Sequence, residues 1–160
     1  MTDSIDKAAG LLSKDAVYES RRFRPEFVMG AELCRESVLM PNANLGINSA
    51  TRVAIAQRIA ALNGDDTLAT QYSEHLEALQ PTHDLLAVAG GATTLPEPLA
   101  SIVRHVDLVT MTPIMADRHD IERLIQAGLD NPQIVALSEL IAFVNFQTRV
   151  VAGLRLLRSA

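Results

Sequence analysis

Asp130-Asn-Pro-Gln-Ile-Val-Ala-Leu-Ser-Glu-Leu-Ile-Ala-Phe-Val-Asn-Phe-Gln-Thr-Arg-Val-Val-Ala-Gly-Leu-Arg-Leu-Leu157 decides the fold. Asp130 and Gln133 stand as the ends of an Asp-x-x-Gln capping box, with Pro132 in the first turn where its missing N–H costs nothing. Beyond them the run predicts one helix, and at ~1.5 Å per residue it extends roughly 35 to 40 Å. Ile134, Val135, Leu137, Leu140, Ile141, Phe143, Val144, Phe146, Val150, Val151 and Leu154 wrap more than one face of it. One stripe can serve the domain's own core; the remainder is expected to be covered by another subunit, because an exposed patch of that size aggregates. Glu139 and Arg149 interrupt the run, so no uncharged stretch approaches the roughly 18 to 20 apolar residues a bilayer requires, and no membrane segment is expected.

Upstream, apolar positions recur every three or four residues almost throughout, which predicts an all-α chain. Helices are expected over Ser4–Leu12, from Pro25 to about Val38, and from Asn48 or Ser49 to Asn63. The third turns Val53, Ala56, Ile59 and Ala60 inward and is stopped by Gly64. Asp65 or Asp66 caps a fourth that carries Leu68, Tyr72, His75, Leu76 and Leu79 on one face before Pro81, and the two make a short-looped antiparallel hairpin. Met40–Gly46 reads as a loop. Thr82–Thr94 pulls both ways: Leu85 to Val88 is apolar, whereas Gly90-Gly91 and Thr93-Thr94 favour a loop, as a lid or a connector. A helix from Pro96 or Pro98 turns Leu99, Ile102, Val103, Val106 and Val109 inward and ends near Pro113. A brief one from Asp117 and Asp120 is closed by Gly128.

The 160 residues, 48% of them hydrophobic, suit a single domain with a substantial core. A formal charge of -5 without a basic block argues against a nucleic-acid partner. One cysteine, Cys34, excludes an intramolecular disulfide, a CxxC pair and a thiolate-rich metal site, and suits a cytoplasmic location; the charged opening residues do not resemble a secretory signal.

Five pieces in order carry a family resemblance: Ile47-Asn-Ser-Ala-Thr-Arg52, Ala60-Ala-Leu-Asn63, Pro98-Leu-Ala-Ser-Ile102, Asp120-Ile-Glu122 to Ala127-Gly-Leu129, and Ile141 to Leu154 with its Phe-x-Asn-Phe-x-x-Arg-x-x-x-Gly-Leu run. The chain thereby resembles the carboxymuconolactone decarboxylase and alkylhydroperoxidase D-like superfamily, peroxidase-related branch, over roughly residues 20 to 157. The resemblance implies an alkylhydroperoxidase D-like helical bundle spanning 1–160, with 1–20 as an N-terminal extension, assembled as a homo-oligomer (dimer, trimer or hexamer). It places the active site at the start of the helix after Asn63, where active relatives carry Cys-x-x-Cys-x-x-x-His, with a glutamate one helix earlier. There one thiolate attacks the peroxide, the other resolves the sulfenic acid, and the Glu/His pair relays protons.

In this chain those positions hold Asp65, Leu68 and Tyr72, with Val53 in place of the glutamate, so thiol peroxidase chemistry is not expected. Cys34 reads as a small hydrophobe on an inward stripe with Phe27, Ala31 and Val38. Asp65, Gln71, Tyr72 and His75 form a candidate pocket in which a histidine and a carboxylate could do acid-base work. Asn145 and Arg149, four residues apart inside an apolar helix, are expected to bond across helices or subunits, with Glu139, Asp107 or Glu122 as acceptors for the guanidinium. His83-Asp84, His105 with Asp107, and His119 with Glu122 supply too few ligands for a metal; neither metal nor cofactor is expected. The favoured function is a non-redox oligomeric binding or structural partner. A CxxC-containing relative is one candidate partner, and acid-base or partner-dependent enzymology is the rival reading.

Overall fold

A computed structural model describes residues 2–160, which fold as nine α-helices with no strand among the described residues. In chain order they are α1 (Ser4–Ala9), α2 (Ala16–Arg21), α3 (Pro25–Leu39), α4 (Ser49–Leu62), α5 (Asp66–Ala78), α6 (His83–Ala89), α7 (Leu99–Met111), α8 (Arg118–Gln126) and α9 (Asn131–Ser159). A short 3-10 turn, Pro113–Met115, separates α7 from α8.

Alanine-rich α4 is the hub. Val53, Ala54, Ile55, Ala56, Ile59 and Ala60 are all fully buried, and their short side chains let α5, α6, α7 and α9 approach it closely. The Asn48 side chain accepts the Thr51 N–H at its N-terminus, and Gly64, at φ +70, makes the left-handed turn that reverses the chain into α5. Asp65 caps α5 by accepting the Leu68 N–H, so α4 and α5 form the short-looped antiparallel hairpin expected from Asn63-Gly-Asp65.

Two buried arginines on α4 hold irregular chain in place. Arg52 donates to the carbonyls of Ile47, Val38 and Asn44, which fixes the α3–α4 loop. Arg58 forks onto Asp107 of α7 with two 2.6 Å bonds and also donates to Val88 O and Ala92 O. The second set settles Thr82–Thr94: its first half is α6, capped by Thr82 and packed on α4, and its second half is tied to Arg58 as a fixed connector.

The last helix is capped as its sequence predicts, by the reciprocal Asp130/Gln133 box, and it is 29 residues long. The expectation that a second subunit must cover most of its extra faces is corrected. The chain's own α1, α2 and α3 pack along it opposite α4, α7 and α8, leaving only Val135 and Phe146 exposed among the wrapping residues named above. By length and composition α9 could span a membrane, yet 61% of its most apolar window is buried, as in the central helix of a helical domain. Within the N-terminal extension, Ile5, Ala8, Ala9, Leu11 and Tyr18 belong to the core, and Met1 lies outside the described residues. Asp6, also buried, receives Arg21 and Arg22, and this pairing closes α2 onto α1. Burial of Asp6 works against ionisation, but the bonds from Arg22 and Arg21 outweigh it and hold the carboxyl below its usual range.

The second correction concerns α3. Its supposed inward stripe is largely outward: Phe27 is 59% exposed, Cys34 is exposed, and only the Val38-Leu39 end is buried. The helix is apolar on several faces because it forms one wall of a cleft and packs little against the hub, so periodicity alone misassigned its buried side.

Candidate functional site

Between α3 and α5, with α1 at one end and α9 at the base, lies a cleft of about 910 Å3. That size suits a drug-sized organic molecule. Pro25, Val28, Met29 and Leu33 of α3 supply an apolar wall, and Leu68, 1% exposed, lies at the bottom. Gln71, Tyr72 and His75 line the opposite side, so three of the four candidate pocket residues converge as their spacing on α5 predicts.

Asp65 is not among them. Its carboxylate caps α5 and accepts a 2.8 Å bond from Arg155 of α9, which leaves it a structural anchor for the α5 terminus. Val53, which the resemblance matches to a glutamate, is fully buried in the hub. Of the four substituted positions, only Leu68 and Tyr72 reach the cleft.

The base of the cleft is a hydrogen-bonded chain through four helices. The Tyr72 hydroxyl donates 2.5 Å to Gln147 Oε1 on α9, and Gln147 Nε2 donates to Ser4 Oγ on α1 at 3.3 Å. Ser4 Oγ donates 2.9 Å to Glu32 on α3, and Arg35 Nε donates 2.6 Å to the other Glu32 oxygen. Burial desolvates Glu32, yet the Arg35 bond and charge and the two Ser4 bonds prevail and keep its carboxyl below the usual range. Tyr72 is shifted the other way: burial dominates and pushes the phenol well up, so it stays protonated and serves as a donor, not as a base. Sequence reasoning missed Gln147, Ser4, Glu32 and Arg35. The available signals were an amide inside an apolar helix and an i,i+3 Glu/Arg pair on α3.

His75 is half-buried at the cleft wall. Burial first, and the Arg35 charge second, pull its pKa below the ordinary histidine value, so the imidazole is neutral near pH 7. A neutral imidazole can accept a proton.

Elsewhere the expectations divide. Asn145 is buried and bonds across helices as expected, accepting 3.1 Å from Asn63 Nδ2 and donating to Ile141 O and Thr110. Within this chain Arg149 is exposed and makes no such bond: of the expected acceptors Glu139 is exposed, Asp107 is engaged by Arg58 and Glu122 by Arg118, and a bond across subunits needs a second chain. The Arg149 side chain lines a shallow pocket with His105 and Val109 of α7 and with Pro113. Cys34 lies off the cleft, and its thiol is pushed up by burial and by the Glu139 charge, the reverse of what a peroxidatic thiolate needs. No group of three or more His, Cys, Asp or Glu side chains placed to share a metal ion occurs among the described residues.

No protein-family model and no curated protein matches the sequence. Among solved structures the chain is similar to an uncharacterized peroxidase-related protein from Silicibacter sp. TM1040, with a TM-score of 0.72 and 13% identity, over 92% of this chain and 77% of that one. At that identity the likeness is one of fold. The chain thus has the alkylhydroperoxidase D-like fold of a peroxidase-related protein, with a single exposed cysteine and no CxxC pair.

Proposed function

We propose that this chain is a non-redox binding protein that holds a small, largely apolar organic molecule in the cleft between α3 and α5, and that it acts as a homo-oligomer. The observation that carries this reading is the state of the α5 N-terminus. Asp65 is committed to capping and to Arg155, Leu68 is packed, and the lone thiol lies on a different helix with its pKa raised. The lone cysteine is thus not at the α5 N-terminus, where the resemblance would put a redox pair, while a cleft lined by apolar side chains and braced by a satisfied polar chain is present. Self-association is supported by apolar side chains that this chain leaves exposed, including Phe23, Ile114, Val135, Phe146, Leu156 and Leu157.

The test uses a neutral apolar fluorophore, N-phenyl-1-naphthylamine. Saturable binding at one probe per chain is expected, together with its loss in Met29→Glu/Leu33→Glu. Both positions are more than 60% exposed, so the charges spoil the wall without disturbing the core. Hydroperoxide with a dithiol reductant should turn over no faster than without protein.

The rival enzymatic reading keeps one specific support, the neutral His75 imidazole beside Arg35 in the same cleft. Catalysis of proton transfer on a bound substrate, abolished by His75→Asn with binding intact, would select it over simple binding.

A further inference from the structure

The polar groups of the cleft fall into two sets. At the base, Tyr72, Gln147, Ser4 and Glu32 satisfy one another. On the walls, three donors converge without a partner among the described residues: both terminal nitrogens of Arg35, whose only bond leaves from Nε, the Gln71 amide, and the His75 imidazole. Arg35 stands close enough to His75 to act on it electrostatically, so the guanidinium and the imidazole address one region of the cleft. The Arg35 side chain is 23% exposed, and its two terminal nitrogens are accessible at the cleft and unused by the protein, which offers an acceptor a forked donor. The apolar wall of Val28, Met29 and Leu33 continues away from it.

We infer that the cleft's ligand is a small amphipathic carboxylate, its head on Arg35 with Gln71 and His75 beside it and its hydrocarbon body along α3. This rests on the binding function proposed above. The other charged groups lining the cleft do not reverse the preference. Asp3 is paired with Arg21, Arg22 with Asp6 and Glu32 with Arg35, Lys7 of α1 adds positive charge, and Glu36 and Glu74 are exposed and screened at the rim. The anion completes the Arg35 fork and stabilises the imidazolium, so binding takes up a proton at His75 near its pKa.

Calorimetry with decanoate, decanol and decyltrimethylammonium, below their micelle concentrations, tests the head group at constant chain length. Decanoate should bind one per chain, at least about tenfold tighter than either analogue, the scale of a charge-assisted hydrogen bond. Arg35→Met should abolish that preference and Arg35→Lys retain part of it. The His75 ring-proton titration should move upward with decanoate and not with decyltrimethylammonium, a readout that a merely structural arginine would not shift. Equal or tighter binding of the alcohol or the ammonium, or an unmoved His75, overturns the carboxylate assignment while leaving the cleft a binding site. Binding of none of the three, with no uptake of the neutral fluorophore, overturns both.

Discussion

Replacing Tyr72 by Phe and Gln147 by Leu, singly and together, tests whether the base of the cleft is a coupled unit. The two side chains are 4% and 1% exposed and share a 2.5 Å bond. Tyr72→Phe removes the donor and strands Gln147 Oε1 in a dry site; a buried polar atom left without its partner costs about 1–3 kcal/mol. Gln147→Leu strands the phenol hydroxyl at a similar cost, whereas Ser4 keeps its bond to Glu32 and adds little. For a chain of this length, about 2 kcal/mol corresponds to a fall of about 4–8 °C in Tm. The double variant removes donor and acceptor together and leaves nothing stranded, so it should lose less than the sum of the singles, with a coupling of about 1–2 kcal/mol. Urea unfolding read by far-UV circular dichroism, with m unchanged across the set, supplies the four free energies. Additivity within about 0.5 kcal/mol would show that the pair is not coupled and that the chain through four helices is not a structural unit.

Other expectations are as direct. Asp65→Ala removes the α5 N-cap and the Arg155 partner and should cost at least about 1 kcal/mol in the same assay; an unchanged midpoint would contradict the anchoring role. Cys34, exposed, should react with one equivalent of a disulfide reagent in the native protein, slowly near pH 7 and faster as pH rises, because its thiol pKa is raised; failure to react without denaturant would place it back in the core. Burial lowers the pKa of both His75 and His105, so below the ordinary histidine value the unfolded chain binds more protons than the folded one. Stability should therefore fall as pH drops from about 7 through that range, and His105→Gln should flatten the fall; a rise would reverse the sign of both shifts. Light scattering after size exclusion should give a multiple of 17.3 kDa, and a stable monomer would contradict the oligomer.

How much of this was legible in the sequence depends on whether a residue's role is local. The caps Asn48, Asp65, Asp117 and Asp130 each bond an amide two or three residues on, and each helix start was legible, with Ser49 and Asp66 as alternatives at the first two. The inward face of α4 and the α4–α5 hairpin followed from spacing in the same way. What escaped was set by distant partners. The several apolar faces of α9 read as an interface because nothing in residues 130–157 says that α1 and α2 return to cover them. The stripe on α3 read as core because apolar spacing does not say whether a helix packs on the hub, and α3 does so only near its Val38-Leu39 end. Arg52 and Arg58 were overlooked inside an apolar helix, since their acceptors are loop carbonyls and a carboxylate 49 residues away. Within the site, the α5 residues were visible as one face, while Gln147, Ser4, Glu32 and Arg35 enter it only through tertiary packing.

An amide NMR map of the protein titrated with the neutral fluorophore locates binding most directly. Occupation of the cleft predicts perturbations concentrated in residues 25–36 and 68–75 and at Gln147, saturating at one probe per chain. Perturbations confined to the exposed apolar positions around Ile114 and Leu156, or none at all, would contradict the cleft as the functional site.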